Sequence, residues 1–94
     1  MTAKKRERLE VIRDIIQTIR NTRQIKPTRL LYASNLSPQM FKEYIDELLA
    51  KGFISIEVID KKGKDKKTFS LTAKGQNFLQ EYKVIENFVE NFGL

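Results

Sequence analysis

Ser37-Pro38 and Gly52 bracket one helix so closely that the stretch between them has little other choice of structure. A serine hydroxyl before a helix accepts one of its orphan amides, and proline is pre-shaped for the first helical position. Glycine takes the left-handed conformation that ends many helices. Between these marks Phe41, Ile45, Leu48 and Leu49 recur at helical spacing and define a buried stripe. Upstream, Pro27 opens a shorter helix with Leu30, Leu31 and Ala33 as its apolar residues. Asn35 follows where the chain must reverse, a residue that tolerates the left-handed region, and Leu36 plugs the gap between the helices. A short helix, a polar turn and a longer capped helix form a helix-turn-helix arrangement over Pro27 to Gly52.

Ahead of it, Lys4 to Thr22 reads as an amphipathic helix. Leu9, Ile12, Ile16 and Ile19 fall three, four and three residues apart, with Val11 and Ile15 widening the stripe. Arg6, Arg13, Arg20, Glu10, Asp14 and Gln17 take the wet side. The basic excess before Pro27 suits a solvated helix face, but the Lys4-Lys5-Arg6 cluster also suits an arm that adds phosphate contacts.

Ile25, alone among polar residues, reads as a one- or two-residue strand joining a later sheet. Phe53 to Ile59 reads as a strand in which Ile54, Ile56 and Val58 alternate with Ser55 and Glu57 and put one face on a core. The returning strand, KTFSLT, points Phe69 and Leu71 the same way. Residues 60 to 67 between them hold five lysines, two aspartates and Gly63, which supplies the freedom a hairpin tip needs. Thr72 caps a last helix carrying Phe78, Leu79, Tyr82, Ile85, Phe88, Val89 and Phe92. Gly75 costs that helix about 1 kcal/mol of propensity, so close backbone packing is expected there.

The fold class is therefore mainly α with a small β-hairpin. The order helix, short helix, turn, helix, hairpin, helix is that of a winged helix-turn-helix, with the lysine loop as its wing. Residues 1–94 form a single domain, with 76–94 as a dimerisation helix. RLLYASNLSPQMFKEYIDELLAKGFI, followed by a hairpin and FSLTAKGQNFLQEY, resembles the small archaeal winged-helix DNA-binding proteins and predicted transcriptional regulators. In those, a threonine-x-lysine-glycine opening leads into a C-terminal helix that pairs two subunits. The resemblance covers roughly Pro27 to Tyr82 and implies double-stranded DNA as ligand.

A winged helix sets its second motif helix in the major groove and its wing on neighbouring backbone or minor groove. Only the first turn of that helix reaches base edges, so Ser37, Gln39, Met40 and Lys42 are the readout candidates. Gln39 suits adenine and Met40 a thymine methyl. Thr28 and Arg29 suit phosphate, as do Lys61, Lys62, Lys64, Lys66 and Lys67 on the wing. Against this, Ser37 to Lys51 holds two lysines and three acids, Glu43, Asp46 and Glu47, and carboxylates repel phosphate. Either the helix enters the groove by its tip or it is not a reading helix. With no arginine in the wing, backbone contact and modest sequence specificity are expected.

The net charge of +6 favours a polyanionic partner. With neither cysteine nor histidine, the chain has no disulfide, no thiol nucleophile and no usual zinc ligand or general base. No glycine-rich phosphate loop is present, no cofactor or small-molecule ligand is indicated, and an enzyme is not expected. The basic N-terminus lacks the apolar core of a signal peptide, and no run approaches a membrane span, so a cytoplasmic protein is expected. Tyr82, Ile85, Phe88, Val89 and Phe92 would pair two copies of the chain. The alternatives are a non-specific architectural chromatin protein and a winged-helix protein-interaction module.

Overall fold

Ile15, Ile16, Ile19, Leu30 and Leu48 are at most 1% exposed and form the centre about which the chain is wrapped. The first three come from α1 (Arg8–Thr22), Leu30 from α2 (Pro27–Ser34) and Leu48 from α3 (Pro38–Ala50). A hairpin of β1 (Ile54–Lys61) and β2 (Lys64–Leu71) follows, then α4 (Ala73–Asn91). The computed structural model describes residues 7–61 and 64–94, and of 59–61, 64 and 65 the backbone alone. Lys62 and Gly63, and the Lys4-Lys5-Arg6 arm, lie outside the described residues. The architecture is a winged helix-turn-helix.

The expected punctuation holds. Asn35 is left-handed (φ 57°, ψ 32°) and ends α2. Ser37 Oγ accepts the Met40 amide at 3.2 Å, with Pro38 at the first helical position. Gly52, at φ 78°, closes α3 with the paired bonds of a Schellman turn: its amide reaches Leu49 O, and the Phe53 amide reaches Leu48 O. Ile25 bridges Phe69 through both backbone bonds, at 3.1 and 2.8 Å, so β2 is flanked on both sides.

The joint between α3 and α4 explains the threonine-x-lysine-glycine sequence at 72–75. Thr72 Oγ1 accepts the Gly75 amide and donates to Gly52 O at 2.6 Å. Lys74 Nζ donates to Lys51 O at 2.7 Å and sits 4.7 Å from the centre of the Phe53 ring. A Cβ on Gly75 would lie 2.3 Å from Phe53 O. Alanine there gains about 1 kcal/mol of helix propensity. The clash is with backbone that is itself hydrogen-bonded, and overpacking costs roughly 1–3 kcal/mol. With the Cβ only 2.3 Å from that oxygen, Gly75→Ala is expected to lower stability by up to about 2 kcal/mol in a urea titration; an unchanged midpoint would show that α4 can shift freely.

Several boundaries and faces differ from expectation. Glu7 is extended (φ −72°, ψ 160°), so α1 starts at Arg8 and not at Lys4. Leu9, expected on the core stripe, is 56% exposed, because the first turn of α1 projects past the interior. On α2, Ser34 is buried in place of Ala33, its hydroxyl donating to Leu31 O at 2.7 Å. Arg13, expected in water, is partly buried over the Tyr82 ring at 5.6 Å. In β1 only the base of the expected apolar face is covered: Ile54 is buried, whereas Ile56 and Val58 are exposed. Their partners Phe69 and Lys67 share that face by register, but Lys67 brings no core with it. The strand leaves the globule before its alternation ends.

Candidate nucleic-acid interface

Helix α3 owes its orientation to a single apolar side. Phe41, Ile45 and Leu48 are buried and Leu49 is partly so, which turns Gln39, Met40, Lys42, Glu43 and Asp46 outward. Gln39 and Met40 are exposed at the first turn, as expected. Ser37 is exposed too, but its oxygen is engaged as the α3 cap, which leaves its hydroxyl proton as the group free for a ligand. Lys42 is exposed and donates to Asp46 Oδ2 at 2.7 Å. That hydrogen bond, with the attraction of the same carboxylate, raises the Lys42 pKa above its ordinary value. The lysine is therefore charged throughout the neutral range, and on the alkaline side the pair is lost only as pH rises past the ordinary lysine range.

Two of the three troublesome acids on α3 are neutralised in place. Asp46 is held by Lys42, and Glu47 by both Lys51, at 2.9 Å, and Arg8 from α1. Lys42–Asp46 and Lys51–Glu47 are spaced four apart and were readable from the sequence. Arg8–Glu47 spans 39 positions and had no local signal. Such exposed pairs add little stability, but they cancel charge where an incoming phosphate would meet it. Arg8 also stacks on Tyr44, 5.8 Å from the ring centre.

Thr28 and Arg29 are exposed in the first turn of α2. Lys66 and Lys67 are exposed on β2, opposite Ile59 and Val58. Lys61 and Lys64 face each other in the register at the far end of the hairpin; their side chains, and Lys62 altogether, lie outside the described residues. The motif-helix candidates thus lie in the first turns of α2 and α3, and the wing candidates with described side chains lie on β2.

The candidates on α4 are arranged differently. Leu79 is buried, and Phe78 is partly so against Phe53 at 5.6 Å between ring centres. Tyr82 is half-buried, and its phenol pKa is raised by burial, with Arg13 opposing. Beyond it Ile85, Phe88, Val89 and Phe92 are exposed, as is Val84, while Phe88 and Phe92 stack at 4.7 Å. Exposed Leu9, Tyr82, Ile85 and Val89 line a groove of about 540 Å3 between α1 and α4. Leu9, expected in the core from its place at the start of the α1 stripe, lies exposed on this groove instead.

Among the described residues no group of three or more acidic, histidine or cysteine side chains is placed to hold a metal ion, and no helix is long and apolar enough to cross a membrane.

The family pattern for the winged helix-turn-helix matches residues 5–90. An uncharacterised protein of Methanocaldococcus jannaschii is 41% identical over 83 residues, covering 87% of this chain and 76% of that protein. Sso10a-2, a DNA-binding protein from Sulfolobus solfataricus, superposes with a TM-score of 0.70 at 20% identity, over 93% of this chain and 85% of that one. A mutant MarR from E. coli, complexed with operator DNA, superposes with a TM-score of 0.62 at 18% identity, over 74% of this chain and 49% of the other. At these identities the two superpositions speak to the fold.

Proposed function

We propose that this chain, which belongs to the winged helix-turn-helix family, binds double-stranded DNA as a dimeric transcriptional regulator and carries out no catalysis. The observation that carries the reading is the state of α3. Its first turn is exposed, while Asp46 and Glu47 behind it are tied to Lys42, Lys51 and Arg8. A helix with free carboxylates along its length would be repelled from a groove; one with these two neutralised can enter by its tip. Gln39 and Met40 then meet base edges, and Thr28, Arg29 and the wing lysines meet phosphates. Sso10a-2 and MarR, described as a DNA-binding protein and as an operator complex, lend the same fold to the same use. A cytoplasmic location goes with this role.

Because the basic charge is concentrated at the wing and not on α3, phosphate contacts dominate affinity and sequence preference is modest. An architectural protein that coats DNA without preference is the second reading, favoured by that same charge distribution. Titration of wild type and Gln39→Ala on random and enriched duplexes at two salt concentrations separates them. Gln39→Ala is expected to change preference by about 1–3 kcal/mol at one base position. Equal losses on every sequence would leave the architectural reading, and a wild type that binds no duplex would leave a protein-interaction module.

A further inference from the structure

One acid on α3 is left out of the pairing that neutralises its neighbours. Asp46 is held by Lys42, and Glu47 by Lys51 and Arg8. Glu43 is exposed and, among the described residues, takes part in no hydrogen bond or ion pair. The cations beside it are committed elsewhere. Lys42 donates to Asp46, while Arg8, which shares a shallow recess with Glu43 and Met40, is engaged by Glu47 and by the Tyr44 ring. Glu43 also stands four residues before Glu47, a spacing at which like charges weaken a helix. The fold therefore draws no stability from this carboxylate.

Its direction follows from the stripe opposite. Helix residues turn by about 100° each, so the buried Phe41, Ile45 and Leu48 set Glu43 on the far side of α3. Among the hydrogen-bonding side chains of this helix it points most directly away from the core. It also stands behind Gln39, since four residues of helix rise about 6 Å, nearly two base-pair steps of ~3.4 Å. A tip that brings Gln39 to base edges brings Glu43 in behind it, facing the floor of the groove and not its phosphate walls.

A carboxylate offers acceptors only. In the major groove guanine presents two acceptors, N7 and O6, and thymine an acceptor and a methyl, so neither welcomes it. Adenine has a donor at N6, but the N7 acceptor beside it opposes the second carboxylate oxygen. Cytosine presents its N4 donor with no acceptor of its own on that edge.

We propose that Glu43 is a specificity-determining residue that accepts a hydrogen bond from a cytosine amino group, one or two base pairs from the pair met by Gln39. The proposal rests on the DNA-binding reading and adds to it a base that the lysine wing cannot select. Repulsion of phosphate serves the same end: Glu43 lowers affinity for every duplex and recovers the loss only where cytosine stands.

The test is selection from duplexes randomised over the bound site, then titration of single-base variants of the selected duplex with wild type, Glu43→Ala and Glu43→Gln. Glu43 is exposed, so both variants should keep the fold. Wild type is expected to favour cytosine at one position by about tenfold. Glu43→Ala should abolish that preference, leave preference at neighbouring positions unchanged, and bind random duplex more tightly than wild type. Glu43→Gln should move the preference at the same position from cytosine to adenine. Variants that change affinity by one factor on every duplex, or a wild type with no preference for cytosine anywhere, would overturn the proposal and leave DNA binding in place. A wild type that binds no duplex would overturn the DNA-binding reading and this proposal with it.

Discussion

Alanine at Lys62, Lys64 and Lys66 is expected to lower the slope of log K against log salt by about 2.7, since each lost phosphate contact removes about 0.9. At roughly 0.1 M salt the same loss corresponds to about five-hundredfold in affinity relative to a 1 M reference, similar on every duplex. The reasoning starts from the hairpin. Ile56 and Val58 are already exposed, so the described part of the strands leaves the globule near its middle. Lys66, on the returning strand, is exposed. Residues 60 to 67 hold five lysines against two aspartates, more charge than protection of a sheet edge requires. Surface changes on a projecting hairpin move stability by about 0.5 kcal/mol or less, so a loss of affinity would report contact and not unfolding. A triple variant that binds with unchanged affinity and slope would mean that the hairpin serves solubility alone.

The parts of this fold that were legible in the sequence are those specified within one turn of chain. Ser37-Pro38, Asn35, Gly52 and Thr72 act on their own backbone, and each does what its chemistry dictates. Gly75 was legible as a close approach, though only the structure identifies Phe53 O as what it approaches. Periodicity separated the apolar sides of α1, α3 and β1, though not of α2, where Ser34 and not Ala33 is buried, and it could not say how far the interior extends along an element. Leu9 and Val58 sit on the right side of α1 and β1 and are exposed nonetheless, because each lies beyond the end of the core. Arg13 errs the other way, a charged side chain whose stem and guanidinium are covered by Tyr82 from a distant helix.

The candidate interface divides along the same line. The exposure of Gln39, Met40, Thr28 and Arg29 follows from the apolar stripes opposite them. The pairing of Arg8 with Glu47 does not, since it depends on how α1 crosses α3. The burial of Thr68, which belongs to the fold, was hidden for a related reason. On alternation it belongs to the polar side of β2 with Ser70, and nothing nearby reveals that residues 24–26 fold over it.

The variant Phe88→Asp, Phe92→Asp is expected to be monomeric at concentrations where wild type is a dimer, as measured by sedimentation equilibrium. Tyr82, Ile85, Val89 and Phe92 continue from Phe78 at spacings of four, three, four and three, the repeat of a two-stranded seam. A helix that folded back to complete the core would cover this stripe. Here Ile85 is 58% exposed, Phe88 55%, Val89 39% and Phe92 68%, with exposed Leu9 beside them across the groove. The radius of gyration, 14.9 Å, exceeds the ~12 Å of a compact domain of this length, as a projecting helix and hairpin require. Apolar surface so continuous on a small chain marks an interface, and a second copy offers the matching stripe about a two-fold axis. Two heptads alone make a weak coiled coil, so the groove at Leu9 and Tyr82 is expected to contribute to the contact. Pairing would also set two α3 helices on one axis, able to address half-sites about 34–36 Å apart. The aspartates lie where the side chains are already exposed, so each subunit should keep its fold, and its residual DNA affinity should be that of a single half-site. A wild type that remains monomeric at high micromolar concentration would refute the dimer and leave the exposed stripe to another partner.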